Sequence, residues 1–222
     1  RDDTSRHTLA ITNTEKDLGV LVSHNLNFSE HINSVTNKAH KTMGQLKRAF
    51  KFWTPKAFSK LYCTIIRPNL EYAVQAWTPH LKKNIKSLEK VQRRATKVVI
   101  CLKSCSYHER LHHLKLTTLE NRRHRGDLIQ FYKIRSGINI VNMQKETEKA
   151  MGTTRGLRTS LHSLARPPIP SCSQREHFFT NRVIPHWNAL PQEIVQAETV
   201  NQFKNRYDRY YAQTHPNYIS ET

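Results

Sequence analysis

The stretch LEKVQRRATKVV, residues 88–99, alternates pairs of basic residues with small and branched apolar ones. With Lys86 at the zero of a helical wheel, Lys90, Arg93, Arg94 and Lys97 fall within about a quarter-turn of it. Leu88, Val91, Ala95, Val98, Val99 and Leu102 fall on the opposite side. One side of such a helix is cationic and the other apolar. Glu89 is the only local residue able to neutralise the charge. The spacing predicts a helix over about 82–102 whose apolar side is buried.

Toward the N-terminus, residues 7–11 (HTLAI) and 16–22 (KDLGVLV) read as two short strands joined by a polar turn at Asn13 and Thr14. Leu18, Val20 and Val22 alternate as in a half-buried strand. Ser29 is the expected N-cap of a helix running to about Phe50, with Ile32, Val35, Ala39, Met43, Leu46 and Phe50 on one face. Thr54 and Pro55 supply a cap and a first-turn proline for the next helix, which carries Phe58, Leu61, Tyr62, Ile65 and Ile66. Pro68 is expected to break or kink it, having no N–H to give. NLEYAVQAW then continues to Trp77, before Pro79.

Toward the C-terminus, SYHE (106–109) and TTLE (117–120) both fit a capping box, with Ser106 and Thr117 as caps and Glu109 and Glu120 reaching back. The second starts a helix through Leu119, Leu128, Phe131 and Ile134, stopped by Gly137. Residues 152–174 carry Gly, Ser, Pro and Arg without periodicity and read as an extended arm or linker. The last segments, HFFTNRVIPHWNALPQEIV and a helix from Thr199 to about Tyr211, return to helical spacing. The expected fold is mainly α: a short N-terminal β-hairpin (1–25), a helical bundle (26–140), an arm (141–174) and a C-terminal helical extension (175–222).

The formal net charge is +19, from 36 Lys and Arg against 17 Asp and Glu, and a charge so lopsided attracts polyanions, nucleic acid or an anionic membrane. Lys82 to Arg135 holds fifteen of those cations and four carboxylates, so one region carries most of the excess. No apolar run approaches the roughly 20 residues of a membrane span, so no membrane partner is expected. The polar start, RDDTSRHTLA, has neither a signal sequence nor an initiator Met and reads as part of something longer. Four scattered cysteines fit a reduced intracellular setting, nucleus or cytoplasm.

Three chemistries compete. Lys and Arg on a rigid helix neutralise phosphates and release counterions, giving salt-sensitive, sequence-independent binding; Phe50, Phe52, Trp53 and Tyr72 could stack on unpaired bases. A solvated face is the simpler reading of an isolated charge run, but here the run joins a whole-chain excess. Cys101, Cys105, His108 and His112 form C-x3-C-x2-H-x3-H, residue types that suit tetrahedral zinc at a compressed spacing. Ordinary buried cysteines and surface histidines explain them equally well. Catalysis has little support: Asp2 and Asp3 have no upstream strand to place them, Asp17 stands alone, and no phosphate loop or hydrolase motif occurs.

EKDLGVLVSHNLNFSEHI (15–32) and LYCTIIRPNLEYAVQAWTPHLKKNIKSLEKVQRRATKVV (61–99) resemble the region after the palm of LINE-type, non-LTR retrotransposon reverse transcriptases, especially jockey-like and chicken-repeat-like elements. SYHERLHHLKLTTLENRRHRGDLIQFYKI resembles their next block, and HFFTNRVIPHWNALPQEIVQAETVNQFKNRYDRY their carboxyl end. The phrases at Arg67–Ala73 and Val91–Lys97 are the most specific, and the 152–174 arm matches least. The resemblance implies the palm edge, thumb and carboxyl extension of an RNA-directed DNA polymerase. Its partners would be RNA, DNA, RNA–DNA hybrid and the upstream palm and fingers. The family's catalytic aspartates, and the Mg2+ they hold, belong upstream of this chain, so no catalytic role passes to Asp2 or Asp3 and no cofactor is expected here. Lys86, Lys90, Arg93, Arg94 and Lys97, with Arg122, Arg123 and Arg125, are the expected phosphate contacts. A stand-alone transposon-derived binding module, or a structural extension docked on a palm, are the alternatives.

Overall fold

The computed structural model describes residues 11–141, Leu164 and residues 172–215. It is mainly α, with a two-stranded antiparallel hairpin in front and a helical segment at the end. Strands β1 (Thr14–Asp17) and β2 (Val20–Ser23) pair with Asp17 opposite Val20. The turn is therefore Leu18–Gly19, both at positive φ (44° and 89°), as a two-residue type I′ hairpin requires. Asn13 and Thr14 do not turn the chain. KDLGVLV was not one strand; its alternation runs across a turn. The other expected strand, 7–11, lies outside the described residues except for Ile11.

Helix α1 (Ser29–Ala49) buries Ile32, Ala39 and Met43, with Val35 and Leu46 packed beside them, which is the expected face. Its cap is Phe28, at φ 53°, rather than Ser29, whose Oγ accepts from Asn84 Nδ2 at 3.0 Å while Asn27 Oδ1 accepts the Ser29 N–H at 2.9 Å. The hairpin docks on this helix through its backbone: Leu21 N–H donates to the buried His31 Nδ1 at 3.2 Å.

Helix α2 (Pro55–Leu61) starts as expected, with Thr54 Oγ1 accepting the Ala57 N–H at 3.2 Å. Pro68 does not end the helix. The turn before it widens into a π-turn (Tyr62–Ile66), where Arg67 N–H reaches Tyr62 O, and the chain continues as α3 (Arg67–Glu71). Widening relieves the clash between a proline ring and the preceding turn, and the Asn69 side chain donates to the Ile65 carbonyl at 2.7 Å. NLEYAVQAW is not continuous either: Ala73 sits at φ 50° before α4 (Val74–Trp77).

Helix α5 (Lys82–Thr96) is shorter than expected and hands over to a 3-10 turn at Ile100–Leu102. Its apolar side still lands in the core, with Leu88, Val91, Ala95, Val99 and Leu102 buried. Helix α6 (Tyr107–Leu114) carries the Ser106–Glu109 capping box as read. Helix α7 (Leu119–Arg135) is capped one residue later than expected, by Thr118 Oγ1 on the Asn121 N–H at 3.1 Å, and Gly137 at φ 71° follows its end. Helices α8 (Ser173–Glu176), α9 (Phe179–Asn188), α10 (Gln192–Val195) and α11 (Val200–Thr214, capped by Thr199) complete the chain.

The described residues form two apolar clusters. The first gathers Ile32, Phe58, Tyr62, Trp77, Leu88, Val91 and neighbours up to Leu119. The second gathers Leu128, Phe131, Tyr132, Trp187, Phe203 and Tyr207, together with Leu164 of the arm, whose N–H and C=O both pair with the Asn188 amide at 2.9 Å. Helix α7 enters both, so the expected break at residue 140 does not separate the cores.

Gln92, which the wheel left unassigned, is 1% exposed and orients α5. Its Oε1 accepts from the Tyr62 hydroxyl at 2.7 Å, and its Nε2 donates to Tyr107 Oη at 3.0 Å and the Thr117 carbonyl at 2.8 Å. That carbonyl contact keeps Thr117 inside, where it cannot cap α7. Each buried polar group left unpaired costs about 1–3 kcal/mol. Replacing Gln92 by Leu should thus lower stability by about 2–4 kcal/mol, read as a lower urea midpoint at unchanged slope.

Candidate nucleic-acid interface

Lys86, Lys90, Arg93, Arg94 and Lys97 are all exposed on one side of α5. Among the described residues none of the five forms an ion pair. Arg93 is steadied by the Tyr107 ring, its guanidinium carbon 4.3 Å from the centroid. Glu89 forms no ion pair on this side: it is turned inward, and of the five cations only Arg93 acts on its charge. The Tyr107 hydroxyl donates to its Oε1 and the Leu119 N–H to its Oε2 at 3.1 Å. Burial pushes the Glu89 carboxyl above its ordinary range, with the Tyr107 hydrogen bond opposing. The Tyr107 hydroxyl is in turn held well above the usual phenol range by burial and by that carboxylate.

The three arginines of α7 have a different fate and are not part of a shared contact surface. Arg122 makes a bidentate pair with Glu71 of α3. Arg123 is 5% exposed, its charge offset first by Glu89 and then by Glu120, Glu71 and Asp127. Arg125 grips Asp208 of α11 at 2.7 and 2.6 Å. These pairs hold neighbouring helices to α7. A fourth such link runs from α9: Arg182 pairs with Asp127 at 2.9 and 3.1 Å and also donates to the Gln75 carbonyl at 2.7 Å and Thr78 Oγ1 at 3.0 Å.

The zinc pattern is not assembled. Among the described residues no three His, Cys, Asp or Glu side chains stand close enough to hold a metal ion. Cys101 is exposed on the 3-10 turn, Cys105 packs at the edge of the apolar core, and His108 and His112 face outward from α6. Four-residue spacing within a helix aligns the histidines with each other, and Ser106, by capping that helix, turns the chain away from the cysteines. Of the aromatics offered for stacking, Phe52 is 86% exposed; Phe50 lies edge-on to Trp53, Trp53 leans on Phe58, and the Tyr72 hydroxyl is tied to the Leu18 carbonyl at 3.1 Å. No helix among the described residues is long and apolar enough to cross a membrane.

Two features escaped the sequence reading. On α1, His40 and Lys47 lie across from Arg94, and burial together with Arg94 and Lys90 lowers the His40 pKa; their seven-residue spacing was the available signal. Between the two cores, His80 stacks on His177 (centroids 4.5 Å) and His124 meets His186 edge-on (4.7 Å) around a cavity of about 220 Å³ that Arg123, Asp127 and Arg182 also line. No sequence spacing links those four histidines.

The fold and surface define a basic, mainly helical protein in which α5 and its C-terminal end group five exposed cations that form no ion pair among the described residues. A relative named uncharacterized protein B0403.1, from Caenorhabditis elegans, is 31% identical over 132 residues, covering 58% of this chain and 67% of that one. The chain belongs to the same family as that protein. No family model and no solved structure matches it.

The histidine cavity makes stability depend on pH. Burial, then His186, Arg123 and Arg182, lowers His124 to about 4, against about 6.5 unfolded. A group depressed in the folded state favours folding above its unfolded pKa, and that contribution is lost as pH falls from about 6.5 toward 4. Wild type should lose about 2–3 kcal/mol more than His124→Gln between pH 7 and 4.5, measured by urea unfolding at both pH values.

Proposed function

We propose that the chain is the nucleic-acid-gripping helical part of a non-LTR retrotransposon RNA-directed DNA polymerase, holding template and primer through the outer side of α5. The observation that carries this reading is the inward turn of Glu89, whose oxygens are taken by Tyr107 and Leu119, so that none of the five cations along α5 and its C-terminal end forms an ion pair among the described residues, Arg93 alone feeling the Glu89 charge. A polymerase holds its duplex while the sequence changes at every step. Contacts to phosphate position a duplex without reading it, which is what such a face supplies. The sequence likeness at Arg67–Ala73 and Val91–Lys97 supports the same reading. The palm, with its aspartates and Mg2+, would come from another part of the parent protein, and synthesis would require it.

The α7 arginines have no place among the contacts; their role is to hold α3 and α11. A structural extension lacking nucleic-acid contact would have no need to leave the α5 cations unpaired, whereas self-repulsion among them costs stability.

The test is anisotropy of a labelled RNA–DNA hybrid across a salt series. Arg93→Ala/Arg94→Ala/Lys97→Ala should reduce the slope of log affinity against log salt by about 2–3, close to one unit per lost phosphate contact. Arg125→Gln should leave that slope unchanged. An unaltered slope in the triple variant rejects the assignment, and tighter binding to duplex DNA than to the hybrid would favour a stand-alone DNA-binding module.

A further inference from the structure

Helices α1 and α5 pack side by side and leave an open cleft of about 260 Å³ between them. Gly44, Val91 and Ala95 form its floor, while His40 and Lys47 of α1 and Arg94 of α5 stand on its rims. Met43 also lines it, and a Cβ built on Gly44 meets nothing within 4 Å, so the space above that residue is open. Among the described residues no carboxylate lines it. Lys90 and Lys97 extend the Arg94 rim by about one turn in each direction, about 6 and 4.5 Å along the axis.

We propose that this cleft seats a phosphodiester strand, so that α1, through Lys47 and His40, forms the second wall of the nucleic-acid site. The proposal rests on the reading of α5 as a nucleic-acid face and assigns that face a groove, a second helix and a register. A phosphodiester chain suits this geometry better than an acidic protein surface does. Its charges recur along a line, as Lys90, Arg94 and Lys97 do, and its sugar edges can lie on an apolar floor. A carboxylate on a folded partner would have to enter a narrow cleft one side chain at a time.

The two readings separate under steric and charge variants of the full chain, probed with the RNA–DNA hybrid, the matching single-stranded RNA and phosphatidylserine vesicles. Gly44→Leu fills the cleft without altering charge and should weaken binding of the better nucleic-acid probe about tenfold, with circular dichroism and Tm unimpaired. Gly44→Ala should bind as wild type and gain slightly in stability. Lys47→Ala should reduce the salt slope by about 1, and Lys60→Ala, which removes the same charge from α2 outside the cleft, should not. Wild-type affinity in Gly44→Leu, or equal slopes for Lys47→Ala and Lys60→Ala, overturns the cleft. If the α5 triple variant still loses slope in that case, the α5 reading stands and only the cleft falls. If Gly44→Leu is misfolded, the lysine pair decides alone. Vesicle binding that exceeds binding to both nucleic acids overturns the proposal in favour of a lipid surface.

Discussion

The roll of α5 about its own axis is the constraint on which the surface depends. Gln92 and Glu89 fix it, and both are polar residues turned toward the interior. Gln92 ties α5 to Tyr62 of the π-turn, to Tyr107 of α6 and to the Thr117 carbonyl ahead of α7. Glu89 accepts from the same Tyr107 and from the first N–H of α7. Apolar packing alone is tolerant of small rotations, since Leu, Val and Ala slide over one another at little cost. A buried amide with three defined partners is not tolerant, because any rotation leaves a polar group dry and unpaired. The network therefore sets which residues of α5 face water, and it removes the one carboxylate that would have blunted the cationic side.

Identical residue types have opposite uses in α5 and α7. On α5, Lys86, Lys90, Arg93 and Arg94 stay exposed and form no ion pair among the described residues. On α7, Arg122 and Arg125 pair with carboxylates from elsewhere, Arg123 is buried in the field of Glu89 and other carboxylates, and Asp127 receives Arg182 from α9. A guanidinium moved out of water is tolerable only when its charge and its donors are matched. Arg182 illustrates the matching, with a carboxylate, two carbonyls and a hydroxyl around one head group. Such pairs say little about net stability, but they define which helices meet and in what register.

Helix α7 also joins the two apolar cores, carrying Leu119 into the first and Leu128, Phe131 and Tyr132 into the second. The histidine cavity lies at that junction, bounded by α7 and α9 and by the segment after α4. A proton added there meets other imidazoles and two guanidiniums. The C-terminal helices thus share with the cationic helix a common support, α7.

Local periodicity made the helical class legible, along with the two-sidedness of α5, the core face of α1 and the caps at Thr54 and Ser106, since each depends on residues within a turn or two. It failed where local rules compete: Leu18–Gly19 took the turn from Asn13–Thr14, and Thr118 took the cap once Gln92 had claimed Thr117; Pro68, expected to break or kink its helix, distorts it through the widened turn before it. The sequence by itself determined how many cations there are and that five share one face of one helix. Only the tertiary structure decided which cations stay available, because the carboxylates that claim Arg122 and Arg125 lie 51 and 83 residues away along the chain. Pairing across such separations depends on how helices pack in three dimensions, and no helical period encodes it.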